Sequence, residues 1–139
     1  MSRPLATATA TLGLTIWTCA SALAQAPPAV RIRLDPPQIT GSMTRRQVSP
    51  VLLRTLPRAR QCYEQVLAHN PVLEGSVTIE MTVGANGSVL STQVRASIPA
   101  LAPVAECIVQ QSIQWQFPRG PASRGNTTVL QEYELRRRT

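Results

Sequence analysis

The residues of this chain that could carry chemistry are its three cysteines, Cys19, Cys62 and Cys107, and its single histidine, His69. Cysteine beside histidine can act as a nucleophile, and the two residue types are the usual ligands of zinc. Cys62 and Cys107 are 45 positions apart, without the C-x-x-C spacing of a redox motif. A structural zinc site needs about four ligands. We therefore expect no metal, no cofactor and no catalytic residue.

Residues 1–24 have the pattern of a secretory signal peptide. Arg3 precedes an apolar run, and Ala22 and Ala24 have the A-x-A spacing that signal peptidase requires. We expect cleavage after Ala24 and export of the remaining chain. The alternative is an uncleaved membrane anchor, which the many Thr, Ser and Ala residues of the run disfavour.

Cleavage would leave Cys62 and Cys107 as the two cysteines of an exported chain. An even pair in a small exported protein predicts a disulfide. A thiol oxidoreductase built on the pair is the less favoured alternative. His69 is followed by Asn70-Pro71 at the end of a helical segment, which is typical of a solvated or capping residue rather than a base.

Two segments place apolar residues at helical spacing. The first begins at Thr44, which has capping-box spacing to Gln47, and Pro57 is expected to break or restart it. Its second half, residues 58–69, places Cys62 on the apolar stripe rather than toward a substrate. The second helix is predicted over residues 101–115, with Cys107 on its flank.

Three segments alternate apolar and polar residues as strands do. Residues 75–83 and 89–97 form a predicted hairpin around Asn86-Gly87, because both residues of that turn tolerate positive φ. Residues 127–135 are predicted as a third strand, with one side consisting of Val129, Gln131, Tyr133 and Leu135.

The order helix, strand, strand, helix, strand predicts an α+β fold. We expect a two-layer sandwich with a three-stranded antiparallel sheet and both helices on one face, which would bring the two cysteines together. Residues 25–41, with proline pairs at 27–28 and 36–37, are predicted as a linker, although alternation over residues 30–34 allows a short edge strand. The folded domain is expected to span residues 42–139.

Several motifs together resemble the TonB-like C-terminal domain, in its gliding-motility-associated branch of AgmX/PglI type. They are Cys62-Tyr63-Glu64 in the first helix, Leu73-Glu74-Gly75, the turn from Gly84 to Gly87, Cys107, and Trp115-Gln116-Phe117-Pro118. The resemblance covers residues 39–135. It implies an α-β-β-α-β fold and structural roles for Tyr63, Gly75, Gly87, Trp115, Phe117 and Pro118.

The resemblance also implies a non-catalytic module that binds other envelope proteins in the periplasm of a Gram-negative bacterium. A partner segment can add to the edge of a sheet by main-chain hydrogen bonds. We expect the third strand to be that edge, with Val129, Gln131 and Tyr133 binding the partner. A long proline-rich spacer, usual in energy transducers of this kind, is not present between residue 24 and the domain.

The charge of the chain supports a different partner class. Without residues 1–24, 13 arginines face 7 acidic side chains, and the chain has no lysine. This excess permits contact with a membrane surface, peptidoglycan or another anionic envelope polymer. Export disfavours nucleic acid as the partner.

Overall fold

A computed structural model describes residue 13 and residues 30–119 and 125–137. The predicted signal peptide therefore lies outside the described residues, Gly13 excepted. The described elements are, in chain order, β1 Val30–Leu34, β2 Gln38–Thr40, α1 Arg45–Leu67, β3 Gly75–Val83, β4 Val89–Ser97, α2 Ala102–Ser112 and β5 Thr127–Arg137. A 3₁₀ turn, Pro99–Leu101, leads into α2.

The strands form one antiparallel sheet in the order β1-β5-β3-β4, and β2 pairs with β5 beyond the end of β1. The fold is therefore α+β, with a sheet of five strands and two helices among the described residues. The expected count of three strands was wrong, because β1 and β2 belong to the predicted linker. Pro36-Pro37 lies between these two strands, where a missing N–H removes no ladder hydrogen bond.

The core lies between the helices and one face of the sheet. On β3 the inward side chains are Val77, Ile79, Met81 and Val83, and all four are buried. The predicted inward face of the second helix, which includes Val104, Ala105 and Ile108, is buried as well. The helices α1 and α2 pack on each other and on this face, because each presents one apolar stripe.

Helix α1 continues through Pro57, so the expected break was wrong. An internal proline costs a helix about 3 kcal/mol. Here the apolar stripe keeps its phase across the proline, with Val51 and Leu52 before it and Ala59 and Cys62 after it all buried. Burial of one such stripe along 23 residues outweighs the lost hydrogen bond.

The turn between β3 and β4 comprises residues 84–88, as the predicted strand bounds require. The N–H of Gly87 donates to the carbonyl of Gly84, and the N–H of Gly84 donates to Ser88, both at 2.9 Å. Gly87 has φ of 86°, while Asn86 has negative φ and its side chain accepts from the N–H of Ser88. Asn86 therefore acts through its side chain and not through a left-handed backbone.

Candidate interaction surface

The predicted disulfide is present and joins the two helices. Cys62 of α1 and Cys107 of α2 have an S–S distance of 2.06 Å and a Cα–Cα distance of 5.8 Å. Cys62 is buried, whereas Cys107 is half-buried beside a shallow groove that also contains His69. The pair therefore links the two helices covalently, as the apolar position of Cys62 indicated.

The expected partner-binding residues lie in the centre of the sheet, so the prediction of an edge at β5 was wrong. Strand β5 pairs with β3 on one side and with β1 and β2 on the other. Val129, Gln131 and Tyr133 face the core and are at most 1% exposed. The physical reason is that the segment taken as a linker supplies the strands that cover the outer side of β5.

Gln131 is the unexpected polar residue of this buried row. Its Nε2 donates to the carbonyls of Asp35 at 2.8 Å and Glu132 at 2.7 Å, which ties the β1–β2 connection to β5. Its Oε1 has no hydrogen-bond partner among the described residues. The Gln131 side chain thus helps to attach β1 and β2 to β5, and it is not part of an exposed partner-binding surface.

The exposed edge on the hairpin side is β4, which within residues 30–119 and 125–137 pairs with β3 alone. It is nine residues long and contains no proline. Its register with β3 shifts at two places, opposite Thr78/Ile79 and opposite Thr82/Val83. Bulges of this kind twist an edge and limit indiscriminate pairing, but they leave main-chain groups for a fitted partner.

Large apolar side chains are exposed along this edge. Leu90 is 58% exposed, Val94 is 40% exposed, and Ile98, directly after β4, is 47% exposed. One polar side chain of β4 contacts the helix layer, since Thr92 Oγ1 and Ser112 Oγ of α2 are hydrogen-bonded at 2.8 Å. The edge therefore combines unpaired backbone with apolar side chains, which is the composition that strand addition uses.

The opposite edge of the sheet differs in charge. Strand β1 presents Arg31 and Arg33 outward, and Arg33 forms an exposed ion pair with Asp35 at 3.7 Å. The polar outer face also carries Arg95–Glu80 at 3.3 Å and Arg136–Glu134 at 2.9 Å. Charged residues on a strand discourage pairing with another strand. Strand β1 has two arginines among five residues, whereas β4 has only Arg95 among nine, so β4 is the better docking edge.

The Trp115-to-Pro118 segment is fastened to the hairpin turn. Phe117 N–H donates to the carbonyl of Gly87 at 2.9 Å, and Gln116 forms an isolated bridge with Ser88. A Cβ on Gly87 would lie 2.0 Å from the carbonyl oxygen of Phe117. Trp115 and Phe117 are buried, and Pro118 is exposed. The motif residues therefore meet at one contact between distant parts of the chain.

Tyr63 and Gly75 hold the connection between α1 and β3. The Tyr63 hydroxyl donates to the carbonyl of Leu73, and a Cβ on Gly75 would lie 2.8 Å from Leu101 Cδ1. Burial raises the pKa of Tyr63, and Glu74 raises it further, against the opposing effect of two arginines. Burial alone raises the pKa of Tyr133 far above its usual value.

Of the residues considered for chemistry, Cys62, Cys107 and His69 line one shallow groove, and the two cysteines are joined there in the disulfide. His69 is exposed at the end of α1. Within the described residues no three His, Cys, Asp or Glu side chains are grouped as a metal site would require. No helix in the described part of the chain is both long and apolar enough to span a membrane.

Sequence reasoning missed β4 as the edge because alternation identifies a strand but not its neighbours in the sheet. One available signal was the composition of residues 89–97, where Leu90 and Val94 are separated by polar residues and do not form a regular apolar face. Comparisons of the chain with protein-family models, with curated proteins and with solved structures find no match. The role of this molecule is therefore inferred from its own surface and sequence.

Proposed function

We propose that this chain is an exported, non-catalytic protein-interaction module of the bacterial cell envelope that captures a partner segment as an added strand along β4. The observation that carries the proposal is the nine-residue edge of β4, which exposes Leu90 and Val94. Export is supported by the signal-peptide pattern of residues 1–24. The resemblance to the TonB-like C-terminal domain, quoted above, supports an envelope partner in the periplasm.

An added strand would gain affinity from two sources. The outward N–H and C=O groups of β4 would supply main-chain hydrogen bonds, and alternate side chains of the partner would contact Leu90 and Val94. The backbone contribution is independent of the partner's sequence, so the apolar contacts would decide which segment binds. The disulfide supports this role, because α2 contacts β4 and is itself fixed to α1.

The proposal is tested by capture from envelope extracts, followed by binding measurements with the captured partner. The test variant is Leu90→Glu with Val94→Glu. It replaces two apolar side chains, which an added strand would cover, by two carboxylates that would lose hydration on binding. The matched control is Val72→Glu, since Val72 is a 71% exposed apolar residue in the α1–β3 connection. We expect the test variant to lose at least about tenfold in affinity, equal to about 1.4 kcal/mol, and the control to bind normally.

Hydrogen exchange distinguishes strand addition from another mode of docking on the same edge. On binding, we expect the outward amides of residues 89–97 to become protected at alternate positions, because alternate residues of a strand point their N–H groups outward. Binding that leaves these amides unprotected, or that survives in a folded Leu90→Glu and Val94→Glu variant, would reject the proposal.

A further inference from the structure

The disulfide between the helices lies under a groove of the surface, which we name the disulfide groove. The groove has a volume of about 480 Å³. It is lined by Gln65, Val66 and His69 at the end of α1, and by Ala100 and Pro103 at the start of α2. Both cysteines line it as well. Because their sulfurs are bonded to each other, the groove passes over the disulfide bond.

The two cysteines of the bond differ in their access to solvent. Cys62 belongs to the apolar stripe of α1 and is 1% exposed. Cys107 lies on the flank of α2 and is half-buried. Exchange between a thiol and a disulfide depends on which sulfur the attacking thiolate can reach. The unequal burial therefore makes Cys107 the cysteine at which an external thiolate can attack.

The polar surroundings of the bond suit an anionic attacking group. Among the described residues, no acidic side chain lines the disulfide groove, so no negative charge there repels a thiolate. Gln111, one helical turn after Cys107, donates from its Nε2 to the Cys107 sulfur at 3.9 Å. A hydrogen bond to the charged form of a group favours that form. The same donor would therefore stabilise a thiolate on Cys107 once the bond is broken.

We propose that this disulfide is a thiol-exchange site, at which a dithiol attacks Cys107 through the disulfide groove and opens the link between the helices. The chain is the substrate of the exchange and not its catalyst. After opening, the helices are held together by their noncovalent interface. The site lies between the helices, whereas β4 lies at the edge of the sheet, so the exchange does not depend on strand addition.

The exchange has two steps, which together move two electrons. In the first, a thiolate of the dithiol bonds to the Cys107 sulfur, the bond between the two cysteines breaks, and Cys62 leaves as a thiolate that takes up a proton. In the second, the other thiolate of the dithiol attacks its own partner sulfur in the mixed disulfide. Cys107 then leaves as a thiolate and takes up a proton. The dithiol is oxidised to a disulfide, and the cysteine pair is reduced to two thiols.

The first step is tested with glutathione, a monothiol that forms the mixed disulfide but has no second thiol of its own. Cys19→Ser leaves Cys62 and Cys107 as the only cysteines, whether or not residues 1–24 are removed. The reaction is stopped early with N-ethylmaleimide, which caps the released thiol, and mass spectrometry of the digest locates both labels. We expect glutathione on Cys107 at least about ten times as often as on Cys62.

The same reaction in 8 M urea is the internal control, since unfolding exposes both sulfurs and should remove the preference. An even distribution in the folded protein, or a preference for Cys62, would overturn the proposal. So would a rate that rises with urea along the slope of equilibrium unfolding, because exchange would then require global unfolding.

The role of the disulfide groove is tested by narrowing it. Gln65→Trp enlarges an exposed side chain that lines the groove, and its matched control is Gln61→Trp, one turn earlier on α1 and outside the lining. We expect the test variant to react with glutathione at least about tenfold more slowly and the control to change by less than about threefold. Ala100→Trp narrows the groove from the side of α2 and should act in the same way. Unchanged rates in both folded groove variants would refute attack through the groove.

A peptide with a C-x-x-C sequence and apolar flanking residues distinguishes the sources of the dithiol from one another. A rate that saturates with the peptide, and that Gln65→Trp lowers, assigns the site to a protein dithiol that docks in the disulfide groove. A rate that stays proportional to the concentration of the peptide, as for dithiothreitol, assigns it to small thiols.

Discussion

The two buried tyrosines show how much a single hydroxyl depends on its partner. Tyr63 donates to a buried main-chain carbonyl, that of Leu73. Tyr133 is as deeply buried, but its hydroxyl has no partner among the described residues. The same atom therefore satisfies a carbonyl in one place and carries an uncompensated desolvation cost in the other.

We predict opposite outcomes for removing these two hydroxyls. Tyr63→Phe leaves the Leu73 carbonyl unsatisfied and should lower the free energy of unfolding by roughly 1–3 kcal/mol. Tyr133→Phe removes a hydroxyl that makes no hydrogen bond within the described residues, so the free energy of unfolding should be unchanged or higher. Urea unfolding of both variants measures the difference. Equal destabilisation by the two variants would contradict the hydrogen-bond assignment.

Gly87 is the residue at which backbone conformation and tertiary packing act together. It has φ of 86°, and its α-carbon faces the Phe117 carbonyl closely enough that a Cβ would lie 2.0 Å from the oxygen. A non-glycine residue would meet both the left-handed backbone cost and a main-chain collision. The Trp115-to-Pro118 segment could not remain against the turn.

We predict that Gly87→Ala lowers stability by more than about 2 kcal/mol, measured by urea unfolding. Gly125→Ala is the matched control, because Gly125 has φ of 67° but no atom of the described residues lies within 4 Å of its added Cβ. The control should show the backbone cost alone, about 1 kcal/mol. Similar losses in the two variants would mean that the contact with Phe117 contributes little.

At the scale of elements, the disulfide is the feature that sequence alone predicted best. Cys62 and Cys107 are the one pair left when the predicted signal peptide is set aside, and both lie on helices whose apolar stripes must face the same core. Helix propensity was a weaker guide, since Pro57 does not interrupt α1. Propensity is local, whereas the burial that stabilises α1 across Pro57 involves residues far along the chain.

We predict that replacing both cysteines by alanine lowers the free energy of unfolding by roughly 4 kcal/mol, the chain-entropy value for a loop of this length. Thermal and urea unfolding of the variant and of the reduced protein should agree. The fold should persist at low temperature, because the helices also share an apolar interface. A loss well under 1 kcal/mol would show that the disulfide contributes little to stability. That result would favour the alternative, a thiol oxidoreductase built on this cysteine pair.

At the scale of the whole molecule, the complete sheet depends on residues 30–41, which precede the predicted domain. Val30 and Ile32 of β1 are buried, and β1 and β2 cover the outer side of β5. Without them β5 would become an edge that presents unpaired main-chain groups. These strands are therefore part of the folded unit, and the domain begins earlier than residue 42.

We predict that a chain beginning at Ser42 is less stable by about 3–6 kcal/mol than one beginning at Val30, which keeps both strands. The estimate corresponds to the burial of two aliphatic side chains. The shorter chain should also self-associate through the uncovered β5, which sedimentation velocity detects. Equal stability of the two chains would mean that residues 30–41 act as a linker after all.

Patterns along the chain were sufficient to locate both helices and the three longest strands, because each depends on the periodicity of residues near one another. The cysteine pair followed from the number of cysteines outside the predicted signal peptide. The tertiary structure decided which strand lies at the edge, since pairing joins residues far apart in sequence: Val30 lies opposite Arg137, and Gly75 opposite Leu135. The alternation of apolar and polar residues shows that a strand has one buried face and one exposed face, but only the assembled sheet determines which strands pair with it.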